Sequence, residues 1–383
     1  MRLVRLPQGT RVTVLAGARV FDPDTGETTR ADVRLDGDRI AEVGPGLDGG
    51  ERVDCSGGLL IPGLVDCHVH VAFPRTEPLP RSARILEAVP VLRGLLARGI
   101  TTVRDAWGAD AGFKHALREG WLTGPDLLVS LRQLGPTGGL GDSWEPPAGA
   151  VDTFGDPSLP DPLFDGPDAA RAAVRRMVRA GADWIKIGAG GAMASIRAGV
   201  DVRPADDELL AVVEEARRCG RDVMAHAHTA AAVVSAARAG ARSIEHGTFL
   251  DDSAVAAMAD AWYVPTLSPI SDSEFAETHR RSLRLAVEAG IRIAAGSDLA
   301  PRPHVDLATE LRLLAAVLGD AAALKAATSE AARLLRLDDD RGRLEPGLRA
   351  DLVLLDGPDL DVTDLPGRIR AVWHDGERVS EAS

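Results

Sequence analysis

Cysteine is scarce in this chain, with only Cys55, Cys67 and Cys219 among 383 residues. Three are too few and too scattered for a disulfide framework, so a reducing, cytoplasmic compartment is expected. No uninterrupted apolar run approaches the roughly 18 residues of a membrane span. The opening MRLVRLPQGTRVTVLAG has neither the continuous apolar core nor the small-residue cleavage site of a secretion signal. Neither membrane insertion nor secretion is expected. Positive charge is also short, with 44 Lys and Arg against 57 Asp and Glu and a net charge of −13. Nothing here would neutralise phosphates, which argues against a nucleic-acid partner.

What is present suffices for a large globular chain. The hydrophobic fraction of 45% is ordinary, and the length accommodates one domain of roughly 250 to 300 residues beside a smaller one. Residues 11–55 read as short alternating strands broken by turns (RVTVLAG, ARVFDPDTGE, ADVRLDGDRIAEVG), and residues 349–380 read the same way. Two β-rich ends around a different middle predict a small β-sandwich built from both termini, residues 1–60 with 343–383. The middle, 61–342, alternates apolar strands near 60–66, 100–105, 126–130, 182–188, 221–226, 241–246, 261–267 and 291–297 with amphipathic helices such as DDELLAVVEEARRCG. That rhythm predicts an α/β fold, a (β/α)8 TIM barrel with its chemistry at the C-terminal ends of the strands. The segment 131–165, rich in Gly, Pro and Asp and carrying Trp144 and Phe154, breaks the rhythm and reads as a lid or binding loop.

Chemistry-bearing residues gather at those strand ends. LIPGLVDCHVH closes the first barrel strand with His68 and His70, two apart and therefore on one face. RDVMAHAHT closes the fifth with His226 and His228, and ARSIEHGT the sixth with His246. IRIAAGSD closes the eighth with Asp298, where Ala294 and Gly296 leave room on the same face. Separate core histidines would not all collect at one end of one barrel. Imidazole and carboxylate suit zinc or a similar divalent ion. In ADWIKIGAGG, alternation sets Trp184, Lys186 and Gly188 on one face of the fourth strand, with Ile185 and Ile187 on the other. A bare ammonium there is costly to bury, so Lys186 must be paired, neutralised or chemically changed.

GLVDCHVH, WIKIGAGG, MAHAH, IEHGT and AAGSD, together with TTVRDAWG and the tail AATSEAARLLRLDDDRGRLEPGLRADLVLLDG, resemble the amidohydrolase superfamily, in order and over nearly the whole chain. Within it the chain is similar to the imidazolonepropionase-like and Xaa-Pro dipeptidase-like branch, which includes metal-dependent carboxypeptidases. The resemblance implies two divalent metal ions, with His68, His70 and Asp298 on one, His226 and His246 on the other, and Lys186 bridging both. His228 is left to substrate contact or to a supporting place behind the ligands. As an ammonium, Lys186 would join two such ions in crowding five positive charges beside the single negative charge of Asp298. Each unit pair at about 4 Å is worth about 4 kcal/mol at an effective dielectric of about 20. A neutral amine can instead add carbon dioxide, and the resulting carbamate (N6-carboxylysine) offers a negative charge and one oxygen to each ion.

The implied activity is hydrolysis of an amide or peptide bond, releasing an amino acid from an N-acyl amino acid or a dipeptide. The ions would supply hydroxide at neutral pH and polarise the scissile carbonyl. Asp298 would orient the hydroxide, take its proton and pass it to the leaving amine. A cyclic-amide hydrolase or deaminase of the same superfamily is the alternative. Single-metal deaminases in it generally lack the bridging lysine and place an acid shortly after the fifth-strand histidine, where HAHTAAAV has none. A metal-free structural relative is the remote alternative, since every ligand position is filled. Dipeptidase-like relatives often read TGGHGD after the third strand; here TGGLGDSW has Leu140 in the histidine's place. With Trp144 and Phe154 nearby, that change suggests a bulkier, more apolar acyl group. Arg132, Arg197 and His304 are candidates for holding a substrate carboxylate, and a homo-oligomer is expected.

Overall fold

The computed structural model describes residues 12–72, 80–142, 144–145, 149–150, 159–299 and 306–379. Eight parallel strands carry the middle of the chain: β1 (Leu64–Val69), β2 (Ile100–Asp105), β3 (Asp126–Val129), β4 (Trp184–Gly188), β5 (Asp222–Thr229), β6 (Ser243–Phe249), β7 (Trp262–Val264) and β8 (Arg292–Ile293). Strands β1, β2 and β3 pair in order as one sheet, and β4 to β8 as another, which Gln133–Leu134 extends beyond β4. Main-chain bonds reach across both gaps. Cys67 N donates to Ala295 O (2.9 Å) and Asp298 N to His68 O (2.7 Å) on one side, and Asp183 N to Val129 O (2.8 Å) on the other. This is a parallel α/β fold of the TIM-barrel type.

The strands are largely buried on both faces, with helices packed on one and an inner cluster of side chains on the other. In β4, Ile185 and Ile187 share a core with Ala173, Val174 and Met177 of the helix Pro167–Arg179, while Trp184 joins Val65, Cys67, Met224, Trp262, Val264 and Ala294 in an inner cluster. Polar residues start the helices between strands: Asp110 caps Ala111–Arg118, Thr229 caps Ala230–Ala239, and Asp306 caps Leu307–Leu318. Among the described residues no helix is long and apolar enough to cross a membrane.

The two chain ends meet in one eight-stranded sheet. Val12–Asp22 pairs antiparallel with Glu27–Asp36 and parallel with Glu51–Asp54 and Gly58–Pro62. Gly58–Pro62 pairs with Leu352–Asp356, and that strand with Ile369–His374. Leu15, Val33, Leu35, Leu60, Leu352 and Trp373 give this sheet a core of its own. In the expected lid, Trp144–Glu145 pairs antiparallel with Gly149–Ala150. Phe154 and His304 lie outside the described residues.

Candidate metal centre

The ends of β1, β5 and β6, with the segment after β8, bring His68, His70, His226, His228, His246 and Asp298 together, and all five histidines are buried. A slip in the register of β1 against β2, between Asp66 and Val69, re-aims the end of β1. The His68 and His70 rings stand 5.3 Å apart. Gly296 lets the segment after β8 pack against β1, because a Cβ there would fall 2.6 Å from Val264 Cγ1 and 2.8 Å from His68 Cβ. His70 Nε2 lies 3.1 Å and His68 Nε2 3.4 Å from Asp298 Oδ1. His226, His228 and His246 form a second group, with ring centroids 4.4 to 4.8 Å apart. His68 and His246, 5.0 Å apart, join the two groups. Within each trio the potential ligand atoms lie within 4.8 Å of one another. On distance alone His228 belongs to its trio as fully as His226 does.

Backbone strain marks the same place. His246 (φ +73°) and Asp298 (φ +52°) adopt the left-handed conformation without being glycine, which costs of order 1–3 kcal/mol each. Tyr263, the only tyrosine of the chain, donates its hydroxyl to His246 O (2.8 Å) and Gly247 O (3.1 Å), and His279 Nε2 donates to His246 O (2.6 Å). A Cβ on Gly247 would strike the Tyr263 ring at 2.6 Å. These contacts hold the strained peptide in place.

Each imidazole has one nitrogen engaged. Nδ1 of His246 meets Thr266 Oγ1 (2.7 Å), Nδ1 of His228 meets Thr248 Oγ1 (2.9 Å), and Nδ1 of His70 meets Trp107 O (3.1 Å). His226 uses Nε2 instead, on Gly191 O (3.3 Å). The opposite nitrogen of each can serve as a ligand atom. Burial, reinforced by Lys186 and neighbouring imidazoles, lowers His68 to about 4 and His226 and His246 well below the usual range. Burial and His279 lower His228 to about 3. These rings are neutral, as ligands must be. Burial would raise Asp298, but His68, His70 and Lys186 together hold it below the usual carboxylate range.

Lys186 is 1% exposed, and its Nζ has no hydrogen-bond partner among the described residues. Burial drives the amine down to about 8, opposed by Glu245 and Asp298 and reinforced by Arg104. Its charge acts on both histidine trios and on Asp298. An orphaned, readily neutralised amine among neutral imidazoles and an ionised carboxylate fits a site completed by divalent metal.

The other expected contacts are scattered. Leu140 O accepts from the side chain of Gln133, the cross-strand partner of Lys186 (3.1 Å), which sets Leu140 near the site. Arg132 is buried just past β3. Trp144 lies on the short hairpin strand. Arg197 is not drawn to the cluster: it is half exposed, ion-paired with Glu274 (2.9 Å) and stacked on Phe275.

Arg104 and Glu245, both wholly buried beneath the cluster, escape sequence reasoning. Arg104 Nη2 grips both Glu245 oxygens (2.9 and 3.1 Å), Nε donates to Cys67 O (2.7 Å) and Nη1 to Ser243 Oγ (3.1 Å). Glu245 Oε2 in turn accepts from His68 Nδ1 (2.7 Å). Burial opposes ionisation of Glu245, but Arg104 and His68 outweigh it and hold the carboxyl at about 2. Asp66 is similarly hidden, accepting from His68 N and from Ser297 N and Oγ. The signal was a charge inside an otherwise apolar strand, as in TTVRD and SIEHG. A third ligand-like trio, Asp351, His374 and Asp375, lies in the terminal sheet. There Arg349 supplies the cation, pairing with both aspartates.

Architecture and donor set together define a class: an α/β enzyme with a candidate divalent-metal centre at its strand ends. The chain belongs to the amidohydrolase family, which it matches over residues 59–379. It is 30% identical to ochratoxinase of Aspergillus niger over 372 residues, covering 83% of this chain and 75% of that protein. It is 28% identical to imidazolonepropionase of Anaeromyxobacter dehalogenans over 395 residues, covering 90% and 88%. The crystal structure of a prolidase complexed with N-methylphosphonate-L-proline superposes with a TM-score of 0.86 at 33% identity, covering 97% of this chain and 100% of that one. The resemblance carried by the motifs is borne out, and the chain is an amidohydrolase acting on amide-type C–N bonds.

Proposed function

We propose that this chain is a binuclear metal-dependent hydrolase that releases an amino acid from an N-acyl amino acid or a dipeptide. The observation that carries the reading is Lys186, a buried amine with no hydrogen-bond partner among the described residues, in the midst of neutral imidazoles. In this reading His68, His70 and Asp298 would hold one ion, His226 and His246 the other, and Lys186, as a carbamate, would serve both. Zinc is the ion this donor set suits best. His226 would ligate through Nδ1 and His246 through Nε2, the nitrogens opposite those that meet Gly191 and Thr266. When bound, such ions lower the pKa of water towards about 7 and polarise a carbonyl. Asp298, kept ionised by its neighbours, accepts the water proton on a carboxylate oxygen and delivers it to the leaving amine nitrogen. His228, stacked on His246 and fixed by Thr248, faces the substrate. Leu140 flanks an apolar acyl group and Arg132 is the partner for the carboxylate, with Trp144 and His304 kept as sequence candidates for these two contacts. Similarity to ochratoxinase and to a prolidase supports this substrate class.

The same reading closes the two parallel sheets into an eight-stranded barrel over 61–342, with residues 1–60 and 343–383 as one β-sandwich. The bonds from Cys67 to Ala295 and from Asp183 to Val129 support closure. A cytoplasmic homo-oligomer completes it. Similarity to imidazolonepropionase favours a second reading, hydrolysis of a cyclic amide. Metal analysis and a substrate panel decide between them. About two equivalents of zinc per chain and turnover of N-acyl amino acids or dipeptides are expected. One equivalent at full loading, or turnover confined to lactams and aminated heterocycles, overturns the proposal.

A further inference from the structure

We infer that Glu245 is a positioning residue that dictates which nitrogen of His68 faces the candidate metal centre, with Arg104 reserving the carboxylate for that task. The inference rests on the reading of His68 as a ligand. A carboxylate can only accept, so Glu245 Oε2, 2.7 Å from His68 Nδ1, requires the proton on Nδ1 and the lone pair on Nε2. Nε2 is the atom aimed at the site, 3.4 Å from Asp298 Oδ1. His228 and His246 are anchored differently, by threonine hydroxyls that either donate or accept. Their anchors leave the tautomer open, whereas the anchor of His68 does not.

Arg104 explains why Glu245 is available. An unpaired carboxylate at this depth is costly and free to turn to another partner. Arg104 answers both. Its Nη2 bonds each Glu245 oxygen, and Ser243 Oγ adds a second donor to Oε1. The guanidinium is itself fixed, lying 4.6 Å from the Trp184 ring centroid and bonded through Nε to Cys67 O, next in sequence to His68. The pair thus orients His68 while its two charges cancel, and it adds no net charge beneath the centre.

Glu245→Gln makes the inference testable, because it keeps shape and removes one acceptor. Arg104 and Ser243 converge on Oε1, so the amide oxygen settles there and the amide NH2 turns to His68. Nδ1 must then accept, and the ring proton moves to Nε2, where it blocks ligation. The experiment uses the full-length chain labelled with 15N-histidine and stripped by chelator, with His68 signals assigned by comparison with His68→Asn. Long-range 1H–15N spectra are expected to show Nδ1–H in the wild type and Nε2–H in Glu245→Gln. Zinc affinity from chelator competition should fall about 10- to 100-fold in the variant, the range for losing a partner behind a metal-bound histidine. Wild-type His68 protonated at Nε2 overturns the inference even if the variant does not fold. So does a variant that keeps Nδ1–H, or one whose tautomer inverts with zinc affinity unchanged. A wild type that binds no zinc defeats the metal reading instead, and the tautomer result still stands separately.

Discussion

Replacing Lys186 with methionine separates what the lysine costs from what it does. The substitution keeps an unbranched stem of similar length and removes the charge. In protein stripped of metal and carbon dioxide, the Lys186 amine falls from 10.5 to about 8 on folding. Each pKa unit corresponds to about 1.4 kcal/mol, so the folded state carries about 3 kcal/mol of penalty for the ammonium at pH 7. The unfolded chain binds this proton more tightly than the folded one. The penalty is therefore complete below pH 8 and is released as pH rises from 8 through 10.5. Lys186→Met is expected to stabilise the stripped protein by about 3 kcal/mol at pH 7 while abolishing amide hydrolysis. Its advantage over the wild type should shrink by about 1.4 kcal/mol per pH unit between pH 8 and 10.5. Urea unfolding of both proteins at pH 7, 9 and 10.5 measures this directly, and subtraction cancels every other titrating group. A variant less stable than wild type at pH 7, or a pH-independent difference, would show that Lys186 is not an uncompensated buried amine. A variant that retains full activity would remove the bridging role.

Only the neutral amine reacts with carbon dioxide, and it titrates near 8. At fixed dissolved carbon dioxide, reactivation of stripped enzyme by zinc should therefore speed up about tenfold from pH 6 to 7 and level off above pH 8; a flat profile contradicts this. Leu140→His should reorder kcat/KM values across N-acyl amino acids and dipeptides while moving Tm little, and an unchanged ranking would count against the lid as a specificity element. Gly296→Ala drives a methyl group to 2.6 Å from Val264 Cγ1 and 2.8 Å from His68 Cβ. It should cost about 1–3 kcal/mol in urea unfolding and weaken zinc binding, and wild-type values for both would refute the close approach.

The strands of the middle segment were legible because a parallel strand buried on both faces must be a short, nearly continuous apolar run. Seven of the eight begin within two residues of the position expected from sequence, as in β4 at Trp184 and β5 at Asp222. The eighth is shorter than its apolar pattern predicts. Only Arg292–Ile293 joins the ladder to β7, because beyond Ala294 the backbone turns to β1, with Cys67 N on Ala295 O and Asp298 N on His68 O. That exchange of partners is a long-range event that no local pattern encodes. The meeting of the two chain ends was legible from alternation; the joining of their strands through Gly58–Pro62 and Leu352–Asp356 was not, since register across about 290 residues leaves no local trace.

At the site, residue type and spacing suffice to find His68, His70, His226, His228, His246 and Asp298. They cannot find Glu245, and the reason is geometric. A strand period of two lets either Glu245 or His246 face the interior, but not both. Both do so because His246 leaves the β conformation at φ +73°, turning its ring to the cluster while Glu245 stays on Arg104 and His68. The break in alternation is strain, and the chain answers it with Gly247 beneath the Tyr263 ring, the Tyr263 hydroxyl, and His279 reaching in from the helix Ala276–Glu288. Gly247 and Tyr263 carry no ligand-type signature in sequence and His279 stands within a helix rather than at a strand end, since their role exists only once His246 is bent. An acid directly followed by histidine and glycine at the end of a buried strand is therefore informative in itself. Regular alternation would leave one of the two charged or polar side chains facing an apolar helix, a cost of several kcal/mol, so the pair implies that the backbone must turn between them.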